Sequence, residues 1–221
     1  MSNVVIVIPV KNPEGAKQRL KDVLSAEQRF ELATTLFVDV LNQINKLPSK
    51  PDCLVVTDDD RISNLAVKHG AEVLIEENPQ GETKAVEFAT ALSVQNGYTR
   101  QVVIPGDMAY LDIDEMEQLL ATKLDSPSVV YCPAVGDDGT NAIYSTPPNA
   151  VSFRFGDRSF PDYIERAKDN NVNHEVLRLK SLVLDIDTPN DLKTFLDLKL
   201  DNAATTLLNS WGFHQGADVH G

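Results

Sequence analysis

Cysteine and histidine are scarce in this sequence, and the common nucleotide and hydrolase fingerprints are missing. Its two cysteines, Cys53 and Cys132, stand far apart inside apolar runs, so buried free thiols are expected instead of a disulfide or a zinc site. The four histidines, His69, His174, His214 and His220, show no metal-ligand spacing. No Gly-x-Gly-x-x-Gly, P-loop or Gly-x-Ser-x-Gly occurs. With no basic leader and no apolar run near the ~18 residues that span a bilayer, a cytoplasmic protein is expected. A formal net charge of -13 excludes a general nucleic-acid or anionic-membrane surface. It leaves room for a small phosphorylated ligand held by a few local cations or a metal.

What is there is ordinary for a globular chain: 221 residues, 42% hydrophobic and 24% charged, enough for one sizeable core. The first half alternates strand and helix. "NVVIVIPV" reads as a strand buried on both faces, and "CLVVTDD", "AEVLIEE" and "QVVIP" follow as further strands. Between them, residues 25–45 form a helix capped by Ser25, with an apolar stripe of Phe30, Ala33, Leu36, Phe37, Val40, Leu41 and Ile44. "RISNLAVKHG" and "ETKAVEFATALSVQNG" are helices ended by glycine. In the second half "IDEMEQLLATKL" and "FPDYIERAKDNN" read as helices, "SVVYCPA", "TNAIYS" and "AVSFRFG" as strands, and "HEVLRLKSLVLDID" as extended. "TPNDLKTFLDLKL" is a helix with Thr188 as cap and Pro189 in its first turn. The expected fold class is α/β: one Rossmann-like domain over 1–200, a mixed sheet with helices on both faces, and an inserted β region near 128–160. The tail, 201–221, either docks on the domain through Leu207, Leu208, Trp211 and Phe213 or supports a homodimer.

Ligands of open parallel sheets sit beyond the carboxyl ends of the strands. There the sequence puts Lys11, Lys17 and Arg19 with Gly15 after the first strand, and Glu76 and Glu77 after the third. Asp107 follows the fourth, and Asp185 and Asp187 close "LVLDID". Cations at one strand end and acids at others suit a polyphosphate with a divalent ion. Gly106 lets the chain turn and present Asp107, whose desolvation is offset most strongly by such an ion. The plainer alternative is that Asp107 caps the helix beginning near Asp112. Asp185 and Asp187 alternate along an extended segment, so either can join Asp107; Asp187 is the first choice as ligand, with Asp185 second or sharing. "KNPEGAKQRL" is equally readable as a solvated loop. Gly139, Thr140 and Asn141 offer amides and polar side chains, and Gly156 and Ser159 flank Arg158 just before a helix, where a small anion is favoured.

In these segments, "IPVKNPEGAKQRL", "PGDM", "DGTNAI", "FGDRSF" and "LDIDTPNDL", the chain resembles the CofC/FbiD guanylyltransferases of coenzyme F-420 biosynthesis, in order from about Val4 to Leu198. The resemblance implies a nucleotide-diphospho-sugar transferase (GT-A-like) fold. It also implies transfer of GMP from GTP to a phosphorylated three-carbon acid (2-phospho-L-lactate, phosphoenolpyruvate or 3-phospho-D-glycerate) with release of pyrophosphate and with Mg2+ as cofactor. By position it implies catalytic roles for Lys17, Arg19 and Asp107, and nucleotide contacts from Pro9, Val10, Lys11, Lys17, Thr83 and Gly106. Acceptor contacts fall to Thr140, Asn141, Gly156 and Ser159, and metal ligation to Asp107, Asp187 and Asp185. The chain departs from the family where Glu82-Thr83 replaces a usual Leu-Asn after Gly81, where Tyr163 replaces a histidine, and where Ala109 replaces a proline. The alternatives are a glycosyltransferase-like enzyme of related fold and a nucleotide-binding protein without turnover.

Overall fold

The β-branched run Val4–Pro9 forms strand β1, buried on both faces near the centre of a seven-stranded sheet. The computed structural model describes residues 3–134, 138–156 and 158–214; Gly136, His220 and the tail beyond His214 fall outside them. Strands β2 (Asp52–Thr57), β3 (Glu72–Ile75) and β4 (Arg100–Val103) extend the sheet in parallel with β1. With β5 (Ser128–Pro133), β6 (Thr140–Thr146) and β7 (Asn173–Val176) the order is β3-β2-β1-β4-β6-β5-β7. Strand β6 is antiparallel to both β4 and β5, while β7 is parallel to β5. The ends of β1, β4 and β5 and the start of β6 therefore share one rim of the sheet.

The described residues form seven α-helices: α1 (Ala26–Ile44), α2 (Asp60–Lys68), α3 (Glu82–Gln95), α4 (Ile113–Ala121), α5 (Ser159–Asp169), α6 (Pro189–Asp197) and α7 (Ala203–Ser210). The period of two along β1 splits the core. Ile6 and Ile8 pack with Phe37, Val40 and Leu41 of α1 and Met116 and Leu119 of α4. Val5 and Val7 face the other way, onto Ala85, Val86 and Ala89 of α3 and Tyr163 of α5. A satellite core joins Leu20 and Leu24 to Leu36, Leu192, Phe195, Ala204 and Leu208.

Local signals explain the helix starts. Ser25 Oγ accepts from the Gln28 amide at 3.1 Å while Gln28 Oε1 accepts from the Ser25 amide at 2.9 Å, a reciprocal cap on α1. Thr188 and Asp191 form the same device on α6.

Three details differ from the expectation. Residues 150–156 are not a strand, because β6 already has β4 and β5 on its two edges and offers no free ladder. The run 174–187 is not continuously extended: after β7 the chain makes a 3-10 turn at Lys180–Leu182, where the Glu115 carboxylate accepts from the Lys180 and Ser181 amides at 3.0 and 2.7 Å. Phe30 is half-buried beneath the Arg61 guanidinium, 4.8 Å above its ring, and Arg29 and Leu32 are buried in the stripe instead. Of the two alternatives for the tail, its described residues 201–214 follow the first and dock on their own domain: Leu208 is fully buried, Trp211 and Phe213 pack beside it, and Asp39 of α1 accepts from the Ala204 amide at 3.1 Å.

Candidate active site

Gly106 ends the fourth strand segment where the chain crowds β1. A Cβ there would lie 2.5 Å from Val10 Cγ2, 3.2 Å from Ile8 Cγ2 and 3.3 Å from Phe37 Cδ2. The missing side chain lets the exits of β1 and β4 touch, and this brings Asp107 to the basic loop. Lys17, in a left-handed backbone conformation (φ 54°, ψ 37°), sends its chain inward so that the side chain is fully buried. Its Nζ donates to Asp107 Oδ2 at 2.6 Å and to Asp187 Oδ1 at 3.3 Å. Two acids and a lysine that are distant in sequence thus meet at one point.

The helix-capping alternative for Asp107 does not hold: Asp112 caps α4, accepting from the Glu115 amide at 3.0 Å. The Asp187 carboxylate likewise takes no part in the start of α6, where Thr188 is the cap and Asp191 accepts from the Asp187 and Thr188 amides at 3.2 and 2.7 Å. Asp185 is anchored by its backbone. It forms an isolated antiparallel bridge with Met108, next to Asp107, and the Ala109 amide donates to Leu184 O at 3.1 Å.

The electrostatics follow from this crowding. Burial opposes the Lys17 charge, but Asp107 and Asp187 outweigh it and raise its proton affinity above the ordinary lysine value. The Lys17 ammonium holds the Asp107 carboxyl below the usual range against the opposing effect of burial. Asp185, which the ammonium does not reach by a hydrogen bond, is pushed up to about 7 by burial first and by Asp107 second. Its Oδ1 is buried without a hydrogen-bond partner. Among the described residues no three His, Cys, Asp or Glu side chains stand gathered as a metal centre; the three carboxylates are instead grouped about Lys17.

A cavity of about 730 Å³ opens over this cluster. Pro9, Val10, Lys11, Lys17, Arg19, Gly106, Asp107, Asp185 and Asp187 line one part of it; Thr140, Asn141, Gly156 and Ser159 line another. Thr140 and Ser159 are buried, and Ser159 Oγ donates to Thr140 Oγ1 at 3.2 Å, joining β6 to the first residue of α5. Thr83 is outside the lining; its hydroxyl accepts from the Phe155 amide at 3.2 Å and ties α3 to the loop before α5. Glu82 takes the wall position beside Gly81, and burial pushes its carboxyl up while Lys11 acts against that. Asp58 and Asn12 also line the cavity and were not singled out from the sequence. Asp58 follows β2 and could have been found as another strand-end acid; Asn12 carried no signal. Among the described residues no helix is long and apolar enough to cross a membrane.

The fold is shared with solved structures. A protein described as a nucleotide-diphospho-sugar transferase from Desulfovibrio desulfuricans superposes with a TM-score of 0.79 at 19% identity over 95% of each chain. A cytidylyltransferase from Leptospira borgpetersenii gives 0.64 at 14% identity over 96% of this chain and 94% of the other. The likeness to these two proteins is one of fold. The profile of the family described as "Guanylyl transferase CofC like" matches residues 4–217, and the chain belongs to that family. It is 43% identical to a 3-phospho-D-glycerate guanylyltransferase of Colwellia psychrerythraea over 85% of this chain and 89% of the relative. A phosphoenolpyruvate guanylyltransferase of Conexibacter woesei is 31% identical over 87% and 86%. A 2-phospho-L-lactate guanylyltransferase of Methanothermobacter thermautotrophicus is 30% identical over 84% and 81%.

Proposed function

We propose that the protein transfers the guanylyl group of GTP to a phosphorylated three-carbon acid, releasing pyrophosphate, as a step of coenzyme F-420 biosynthesis. The observation that carries this reading is the Lys17 ammonium held between Asp107 and Asp187 at the rim, with the Thr140–Ser159 pair across the same cavity. Among acceptors 3-phospho-D-glycerate stands first: the relative bearing that name is 43% identical, against 31% and 30% for those named for phosphoenolpyruvate and 2-phospho-L-lactate.

The acceptor's phosphate is already a nucleophile at neutral pH, so no general base is needed. One of its oxygens forms the new bond to the α-phosphorus of GTP as the bond to the β-phosphate oxygen breaks, and pyrophosphate leaves. The difficulty is charge. At ~4 Å two unit charges repel by ~4 kcal/mol at an effective dielectric near 20, and both reactants carry several. Catalysis is then in-line positioning and neutralisation. Lys11, Lys17 and Arg19 supply fixed cations to the triphosphate. The wall of Pro9, Val10, Gly81 and Glu82 faces the nucleoside, and Thr140, Gly156 and Ser159 take the acceptor.

A divalent cation suits the same place. Carboxylate oxygens are hard ligands, and the Asp107 and Asp187 side chains stay half-open to the cavity on either side of Lys17. Asp107 and Asp187, with Asp185, would hold Mg2+, which when bound supplies charge neutralisation to the phosphates.

A pyrophosphate-release assay crossing GTP, ATP, CTP and UTP with the three acids tests the reading. The expected result is release with GTP, fastest with 3-phospho-D-glycerate. Release of a nucleoside diphosphate instead, or no release from GTP with any of the acids, overturns it.

A further inference from the structure

We propose that Asn141 is a positioning residue for the Asp185 carboxylate, fixing which of its oxygens faces a divalent cation, and is not a contact to the acceptor. This deepens the proposed function and rests on its assignment of Asp107, Asp185 and Asp187 to the cation.

Three observations meet at Asn141. The first is register. Cys132 of β5 faces Ala142 of β6, but the next residue, Pro133, faces Thr140, so Asn141 is the extra residue where the pairing slips. Such a slip leaves one residue out of the ladder and re-aims its side chain. Here it allows neighbours in sequence, Thr140 and Asn141, both to line the cavity, although regular strand geometry would turn them to opposite faces.

The second is an unmet pair. Asn141 is buried, and its Nδ2 has no hydrogen-bond partner; Asp185 Oδ1 is buried and has none either. The Asn141 amide is close enough to Asp185 to favour its ionised form, yet stops short of a completed bond. A buried donor and a buried acceptor left open each keep their desolvation penalty uncompensated, so one small side-chain adjustment that joins them is strongly favoured.

The third is that Asp185 has little else to orient it. Its backbone is clamped through the Met108 bridge beside Asp107, whereas the Lys17 ammonium bonds to Asp107 and Asp187 only. The side-chain torsions of Asp185 are the remaining freedom. An amide donating to Oδ1 removes it and leaves Oδ2 for the cation, as partners behind metal-bound carboxylates do. Thr140 has a different task, since its hydroxyl is joined to Ser159.

Binding of Mn2+ followed by the free-ion EPR signal, with a non-hydrolysable GTP analogue present, tests this on the whole protein without turnover. Asn141→Ala is expected to weaken Mn2+ binding about 10–100-fold while leaving the acceptor KM within about twofold. In an Asp185→Asn background the same change should add almost nothing, because its effect runs through that carboxylate. Should the alanine variant not fold, Asn141→Ser enters the same cycle. An unchanged Mn2+ affinity, a raised acceptor KM, effects that simply add in the double variant, or no saturable Mn2+ binding to the unmodified protein each overturn the proposal. Failure of the functional reading is seen separately, as absence of pyrophosphate release by the unmodified protein on every nucleotide and acid.

Discussion

Lys17 Nζ and Asp107 Oδ2 stand 2.6 Å apart although 90 positions separate the two residues, and the same ammonium reaches Asp187 Oδ1 at 3.3 Å across 170 positions. The lysine side chain is fully enclosed, whereas the two acids keep 45% and 48% of their side-chain surface open to the cavity. The ammonium therefore serves as an internal counter-ion whose partners remain reachable by a competing cation.

Lys17→Met keeps the length and removes the charge. Pyrophosphate release is expected to fall by roughly 100- to 1,000-fold, the size of effect seen when one charge-stabilising group is lost. Mn2+ without nucleotide should bind this variant more tightly than the unmodified protein, because the ammonium no longer competes for Asp107 and Asp187. EPR titration together with the release assay checks both halves.

Asp185 carries the pH dependence. Its carboxyl titrates near 7 in the folded chain against 3.8 ordinarily, so between those values the folded state holds a proton that the unfolded state has lost. Stability from this group is full below about pH 4 and declines as pH rises toward 7. The slope approaches ~1.4 kcal/mol per pH unit as an upper limit. Urea unfolding in the presence of a chelator should show that decline in the unmodified protein and a flatter profile in Asp185→Asn.

Gly106→Ala places a methyl group against Val10, Ile8 and Phe37, with the Val10 contact at 2.5 Å. Overpacking of this kind costs about 1–3 kcal/mol. Denaturant unfolding should register the loss, and turnover should fall with it because Asp107 is the next residue.

Ser159→Ala removes the hydroxyl that binds Thr140 at 3.2 Å at the first turn of α5. The expected outcome is an acceptor KM raised about tenfold, the worth of one hydrogen bond to a charged group, with the KM for GTP unchanged. Steady-state kinetics with each substrate varied in turn separate the two constants.

Much of this architecture is legible in the chain. Strand identity in β1 to β4, the caps at Ser25 and Thr188, and the rim position of Lys17, Asp107 and Asp187 all follow from local period, cap chemistry and strand-end logic. What is not legible depends on pairing. Residues 150–156 have a strand's composition, but β6 has no edge left to give them. Phe30 fits an apolar stripe by spacing, yet Arg61 arrives from α2 to cover its ring. Asn141 is re-aimed by a register slip that exists only once β5 and β6 are paired. Thr83 reads as a ligand contact by position, while its hydroxyl is taken by the Phe155 amide, a partner 72 residues away.

Strand β6 runs counter to its neighbours, so it begins at the rim where they finish. The chain thus delivers its two halves of the cavity from separate connections: the loop leaving β1 on one side, the entry to β6 with the approach to α5 on the other. On the proposed assignment, exchange of residues 138–160 between relatives is expected to change the preferred acid while leaving the loop after β1 untouched.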